Sequence, residues 1–230
     1  MSGERLLIFD MDGVLVDVGE SYRAAIIASV KEICGAEITQ ADIQRYKNRG
    51  HSNNDWDLTL EIAREHGSAI SRDEVIAIFQ KIYLGENCTG MISRERWLPR
   101  PGLLERLAEK FRFALFTGRE SWEAKFTLNK FAPAARFEPV IGMNEVSREK
   151  PDPEGMLKII EQVAPAEVFY VGDVMDDFRA AQAAGVPFIG VVKAGNDPSG
   201  SLAGELGDWF RRQGARAVIS DINELESVLP

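Results

Sequence analysis

Asp10 and Asp12 stand two residues apart, directly after the apolar run Leu6-Leu7-Ile8-Phe9. If the chain is still extended there, both carboxylates point to the same side, and Gly13 lets the backbone leave the strand end in an unusual conformation. Two carboxylates at the carboxyl end of a buried strand are poorly solvated and repel each other unless a cation joins them. Taken alone, Asp-x-Asp also describes an ordinary acidic turn. Three more polar residues change the balance: Thr117 closes the apolar stretch from Phe111 to Phe116, Asp173 follows Val168-Phe169-Tyr170-Val171, and Lys150 lies in a loop between them. Asp10 and Asp173 offer hard oxygen ligands for Mg²⁺, Thr117 a donor for a phosphate oxygen, and Lys150 a fixed cation. Such a set suits phosphoryl transfer, where positioning and charge neutralisation do most of the work. Singly, each has a plainer account: Thr117-Gly118 as a turn, Lys150 as a surface lysine, Asp173 to Asp177 as an acidic helix start.

The elements that must position these residues alternate between strands and helices. From Leu98-Pro99-Arg100-Pro101-Gly102 onward, buried strands and helices follow one another, the pattern of a parallel sheet. Expected strands are 111–116, 139–142, 168–171, 186–192 and 217–219. Between them the spacing predicts a helix capped by Ser121 with Trp122, Phe126 and Phe131 on its apolar side. A second opens with Asp152 as cap and Pro153 as first residue, carrying Met156, Leu157, Ile160 and Val163. Ala180 to Ala184 continues a helix that stops at Gly185, Leu202, Leu206 and Phe210 mark another, and Asp221 with Glu224 opens the last. In an open parallel sheet, ligands collect outside the carboxyl ends of the strands near the switch point, where Asp10, Asp12, Thr117 and Asp173 all fall.

Residues 19–95 read as helices only. Tyr22, Ile26, Ser29, Val30 and Ile33 share one stripe that ends at Gly35, Thr39 caps a short helix, and Trp56, Leu60 and Ala63 continue to Gly67. Ser71-Arg72-Asp73-Glu74 is a capping box ahead of Val75, Ile78, Phe79 and Ile82. The polar stretch 47–55 cannot build a core, so it faces either solvent or something polar. The expected architecture is an α/β fold: a Rossmann-like parallel-sheet core of residues 1–18 and 96–230 with an inserted all-helical cap of residues 19–95.

Composition narrows the function further. The 230-residue chain is 45% hydrophobic and 27% charged, with a net charge of −9 and a pI near 4.9. That balance argues against non-specific binding to nucleic acid or to an anionic membrane, and it leaves room for a local basic pocket. Cys34 and Cys88 have no zinc spacing and read as free thiols in a reducing compartment. The N-terminus is neither a signal peptide nor a membrane span, so a cytoplasmic location is expected.

With these residues in view, the chain resembles the haloacid dehalogenase superfamily. Asp10, Asp12, Gly13 and Asp17 fit its first motif, Thr117 the second, Lys150 with Pro151 the third, and Gly172, Asp173 and Asp177 the fourth, in the family's order. The helical insert looks like the cap of its phosphoglycolate-phosphatase-like and β-phosphoglucomutase-like members. The resemblance implies a Mg²⁺-dependent phosphatase acting on a small phosphorylated metabolite, with a phosphomutase as the alternative and a non-catalytic phosphate-binding protein as a third reading. Asp10 is then the nucleophile that forms an aspartyl-phosphate, and Asp12 protonates the leaving oxygen and later activates water. Asp10, the Asp12 carbonyl and Asp173 hold the metal, and Asp177 acts through metal-bound water or by holding Lys150. Thr117 with Gly118 and Arg119 holds the phosphoryl oxygens, and Lys150 neutralises charge. The acid at Asp12 favours phosphoester chemistry over dehalogenation, since the carbon-dehalogenating members lack it. Arg119 departs from the usual residues after the Thr and reads equally as a substrate contact or as a solvated helix-start arginine. In the cap, Arg49 with Gly50 resembles a specificity loop that pairs with a second anion on the substrate, against a plain surface role.

Overall fold

The N-terminal apolar run forms β1 (Arg5–Phe9), and its neighbours on both sides explain its lack of polar alternation. The structure, a computed structural model describing residues 4–49, 54–193 and 201–230, is built on a six-stranded sheet of order β5-β4-β1-β6-β7-β8. The other strands are β4 (Arg112–Phe116), β5 (Phe137–Ile141), β6 (Glu167–Gly172), β7 (Phe188–Val191) and β8 (Ala217–Ile219), every pairing parallel. Side chains alternate faces along each strand. Leu7, Phe9, Phe113, Leu115, Phe169 and Val171 enter one apolar cluster, while Leu6, Ile8, Ala114, Phe116 and Tyr170 enter another. Both faces are therefore dry, which is why these strands read as continuous apolar runs. The chain leaves β1 to build one side of the sheet and returns through β6 to build the other, so β1 and β6 flank the switch point.

Helices α5 (Leu103–Ala108), α6 (Ser121–Phe131), α7 (Glu154–Val163), α8 (Met175–Ala184) and α9 (Ser201–Gln213) accompany the sheet. Between β1 and β4 lie α1 (Tyr22–Cys34), α2 (Gln40–Arg49), α3 (Asp55–Glu65) and α4 (Arg72–Leu84). α1 ends at Gly35 in the left-handed region, and α4 starts with the Ser71–Glu74 capping box, as their residues predict. The cap packs its own apolar side from Tyr22, Ile26 and Val30 of α1, Leu58 and Ile62 of α3, and Phe79 and Tyr83 of α4. Two short strands, β2 (Val16–Asp17) and β3 (Arg96–Trp97), pair antiparallel at the base of this helical segment. Their two-residue length gave no period to recognise. No helix among the described residues is long and apolar enough to cross a membrane.

Several helix faces differ from expectation. Ser121 is the first residue of α6 rather than its cap, and Trp122 and Phe126 are 44% and 38% exposed. The side that turns inward instead carries Glu123, Ala124, Thr127 and Leu128, because a buried arginine below that face requires polar partners. On α7, Pro153 is the cap residue, Asp152 accepts from the Glu154 amide at 2.9 Å, and Met156 and Ile159 are buried while Leu157 is 47% exposed. The last element, Ile222–Ser227, is a 3₁₀ helix capped by Asp221.

Gly155 in α7 tests how tightly this side of the sheet is packed. A Cβ there would lie 2.3 Å from the Phe116 ring. Alanine is the better helix former by about 1 kcal/mol. Overpacking of a rigid core nonetheless costs about 1–3 kcal/mol, so Gly155→Ala is expected to lower the urea midpoint. An unchanged or raised midpoint would show that the contact yields freely.

Candidate active site

Asp10 follows β1, and its amide continues the ladder by donating to the Val171 carbonyl at 2.8 Å. Thr117 follows β4 in the same way, its amide donating to the Ile141 carbonyl at 3.0 Å. The Thr117 hydroxyl oxygen accepts from the Arg119 amide at 3.2 Å, which fixes it at the strand end. Asp173 follows β6, where its side chain crosses Gly13: a Cβ at that glycine would lie 1.9 Å from Asp173 Oδ2. With φ at +78°, Gly13 is also in the left-handed region that other residues avoid. The glycine thus lets the first acidic turn and Asp173 approach each other.

Lys150 joins these segments. Its buried ammonium donates to Asp10 Oδ1 at 2.8 Å, Asp177 Oδ1 at 2.7 Å and the Tyr170 hydroxyl at 3.0 Å, so all three N–H bonds are used. Burial disfavours the ammonium, but Asp10 and Asp177 more than compensate and hold its pKa above the usual lysine range. Asp177 is fully enclosed. Its Oδ1 accepts from Lys150 and from the Tyr170 hydroxyl at 2.8 Å, and its Oδ2 from the Asp173 and Val174 amides at 3.0 and 3.2 Å. Of the two roles the sequence left open for Asp177, the geometry matches the holding of Lys150, because both oxygens are already engaged. Tyr170, which sequence reasoning passed over as one member of an apolar strand, completes this cluster, and burial raises its pKa. A hydroxyl in a strand buried on both faces was the available signal.

Carboxylate oxygens of Asp10, Asp173 and Asp177 lie within 4.8 Å of one another, and they are hard donors suited to Mg²⁺. Burial, opposed chiefly by Lys150, raises the Asp10 pKa, and enclosure together with Asp177 lifts that of Asp173 to about 7. Two crowded carboxylates with raised pKa values are what a divalent cation would relieve. Asp10 and Asp173 are the residues that would hold it.

Asp12 is held by Arg119. The guanidinium is 1% exposed, and its Nε and Nη2 both donate to Asp12 Oδ1, the Nε contact at 2.8 Å. Its Nη1 lies 2.8 Å from Glu95 Oε1 and donates to the Tyr83 and Thr127 hydroxyls at 3.2 and 3.1 Å. Those two hydroxyls donate in turn to Glu95, at 2.9 and 2.8 Å. Nearby, Tyr22 and Gln80 of the cap donate to Glu123 of α6, the latter at 2.9 Å. Arg119 is therefore neither a solvated helix-start residue nor free to reach substrate with its guanidinium; its charge is spent on Asp12 and Glu95. Tyr83 and Glu95 carry no local motif, so their part in the site was not readable along the chain.

The cap side of the cleft departs further from expectation. Gly50 lies outside the described residues. Arg49 is exposed on α2, its guanidinium 4.9 Å from the Tyr46 ring, and is not among the cleft-lining residues. Two positions apart on a helix face nearly opposite ways, so it is Lys47 that turns inward. Lys47 and Asp55 pair at 2.8 Å and line the cleft with Asp10, Asp12, Arg23, Gly118 and Asp173. Tyr22, Asn54 and Trp56 line its other part. At Lys47, Asn54 and Asp55 the polar stretch thus faces the charged cleft, while Arg49 faces solvent and residues 50–53 lie outside the described residues. Asn54 also bridges to the core, its amide donating to the Glu149 carboxylate at 3.1 Å while its own oxygen caps α3.

Two outcomes follow from these charges. Deprotonation of Asp173 near pH 7 should strengthen Mg²⁺ binding, so the thermal shift produced by Mg²⁺ should grow from pH 6 to pH 8; a flat profile would remove Asp173 from the metal site. For the metal-free protein the sign reverses. The folded state keeps a proton that the unfolded chain releases, so this group's contribution to stability falls as pH rises from about 4 to about 7. Separately, Arg119→Met leaves Glu95 buried without its charge partner and should cost about 3–5 kcal/mol in urea unfolding. A loss under 1 kcal/mol would mean the pair is solvated.

Comparisons with known proteins bear out the fold and the family. A family model described as haloacid dehalogenase-like hydrolase matches residues 7–191. An imidazoleglycerol-phosphate dehydratase of Phytophthora nicotianae is 33% identical over 195 residues, covering 81% of this chain, although the chain spans only 43% of that protein's length. A phosphoglycolate phosphatase of Aquifex aeolicus is 26% identical over 184 residues, covering 79% of this chain and 81% of the relative. A solved structure described as a haloacid dehalogenase-like hydrolase from Bacteroides fragilis superposes with a TM-score of 0.73 at 23% identity, covering 96% of this chain and 99% of that one, and it speaks for the fold. With the family model spanning both the sheet and the helical segment inserted in it, the chain belongs to the haloacid dehalogenase-like hydrolases.

Proposed function

We propose that the protein is a Mg²⁺-dependent phosphatase that hydrolyses a small phosphorylated metabolite by way of a phosphorylated Asp10. The observation that carries this reading is the division of labour between the two carboxylates: Lys150 holds Asp10, and Arg119 holds Asp12. Lys150 occupies Oδ1 of Asp10, which leaves Oδ2 to attack phosphorus. Burial raises the Asp10 pKa well above the usual carboxylate range, the Lys150 ammonium opposes this, and a bound divalent cation would add to that opposition and favour the ionised nucleophile. Mg²⁺ at Asp10 and Asp173 would offset the repulsion between this carboxylate and the phosphate.

As the Asp10–phosphorus bond forms, the bond to the leaving oxygen breaks, and Asp12 supplies its proton. Both Arg119 contacts fall on Asp12 Oδ1, so Oδ2 is the oxygen left to carry it. Water then attacks the phosphorylated Asp10, Asp12 takes the water's proton, and inorganic phosphate leaves. Thr117 and the amides at Gly118 and Arg119 would hold the phosphoryl oxygens, with Lys150 offsetting their charge. The phosphoglycolate phosphatase relative supports phosphoester hydrolysis and small substrates.

A panel of phosphorylated metabolites assayed for phosphate release with and without Mg²⁺ tests the reading. Release should require the metal, and Asp10→Asn should lower kcat by at least about 10³-fold. Full turnover by Asp10→Asn would end the nucleophile assignment, and an isomerised phosphoester with no released phosphate would turn the choice to a phosphomutase. Asp12→Asn should slow both formation and hydrolysis of the phosphorylated enzyme, seen as a smaller burst and a slower steady state in rapid quench.

A further inference from the structure

One cation in the cleft has no task in the mechanism above. Arg23 follows Tyr22 on α1, on the same stripe as Ile26 and Val30, and is only 5% exposed. Its Nη2 donates to Gln44 Oε1 at 2.7 Å, whereas Nη1, although buried, has no hydrogen-bond partner among the described residues. Leaving a guanidinium donor unmet away from water is costly, and burial lowers the Arg23 pKa from its usual value. The side chain lines the cleft with Lys47 from the cap and with Asp10, Asp12, Gly118 and Asp173 from the core. Lys47 has Asp55 as a partner at 2.8 Å. Among the described residues the hydrogen-bond partner of Arg23 is a neutral amide, and no salt bridge holds it.

The acids across the cleft do not resolve this. Asp12 is engaged by Arg119, and Asp10 by Lys150. Asp173 attracts both Arg23 and Lys47, but it is a residue that would face a divalent cation in the working enzyme. A cation there would offset the pull of Asp173 on Arg23 and leave the weaker pull of Asp55, Asp12 and Asp17, each of which is already paired with another cation. The missing partner is then an anion that arrives with the substrate.

We infer that Arg23, with Lys47 beside it, forms an anion subsite in the cap for a second negative group carried by the leaving-group side of the substrate. The substrate class is a small phosphomonoester bearing a carboxylate or a second phosphate close to the ester oxygen. This rests on the phosphatase reading for the position of the leaving group. The free Nη1–H and the Lys47 ammonium offer charge-assisted donors to one anionic group. A neutral leaving group would leave Nη1 unmet, which is how a site built around a buried donor rejects the wrong ligand.

The test uses three esters that differ in one group: phosphoglycolate, ethylene glycol bisphosphate and 2-hydroxyethyl phosphate. The wild-type protein with Mg²⁺ should show kcat/KM at least about tenfold higher for one of the charged esters than for the hydroxyethyl ester. Which charged ester leads separates carboxylate from phosphate. Arg23→Gln should collapse that preference to near one, and Arg23→Lys should retain part of it, with thermal melting confirming that both variants fold. Equal losses on all three esters would assign Arg23 to balancing the acidic cluster and overturn the subsite, as would a wild-type protein with no preference. If no ester is turned over, the metabolite panel decides the phosphatase reading and binding decides the subsite. Calorimetric titration of Asp10→Asn with the same esters then decides the subsite, sustained by tenfold tighter binding of a charged ester that Arg23→Gln abolishes and overturned by equal affinities.

Discussion

A single ammonium group holds together three segments that are far apart in the chain. Lys150 contacts Asp10 across 140 residues and Asp177 across 27, and both partners are buried with it. Carboxylates kept out of water at a strand end are costly, and they persist only where each has a hydrogen-bonded counter-charge. That requirement explains the position of Tyr170, the use of both Asp177 oxygens and the entry of α8 with Asp177 accepting from the amides ahead of it. The strands fix where the acids emerge, and the lysine makes it tolerable for them to be close.

A second cation applies the same logic in a different direction. Arg119 ties Asp12 at the polar edge of the sheet to Glu95 beside β3, where the chain returns from the cap. Tyr83 on α4 and Thr127 on α6 are bound into the same cluster, so cap helix, return strand and core helix share one set of hydrogen bonds. In the dry interior such a network is rigid when every member is satisfied. The orientation of Asp12 therefore depends on how the cap is seated.

The polar edge of the sheet was legible along the chain because its signals are local: an apolar run, then an acid, a threonine or a glycine where the strand ends. Asp10, Thr117 and Asp173 each sit at such a break. The helical nature of the cap was legible for the same reason, through its caps and its apolar spacing. Residues that act through distant partners were not. Arg119 meets Asp12 across 107 residues and Tyr83 across 36, and no spacing announces either contact. α6 shows the cost of this: apolar residues were expected to mark its inner face, yet Glu123 and Thr127 do, because burial there follows the polar cluster. Arg23 did leave a trace. It stands on the stripe with Ile26 and Val30, and a charge on an apolar stripe is a partner waiting to be identified.

The small pairing of β2 with β3 fixes where the helical segment is attached. Val16 lies opposite Trp97 and Asp17 opposite Arg96, so the chain departs and returns at almost the same point. Directly opposed residues in an antiparallel pair are about 4.5–5.5 Å apart. The entry and exit of the helical segment are thus joined by a pairing of their own, separate from the six-stranded sheet. The helical segment therefore leaves and rejoins the core at one point, and Asp10, Thr117 and Asp173 are placed by the ends of β1, β4 and β6 rather than by that segment.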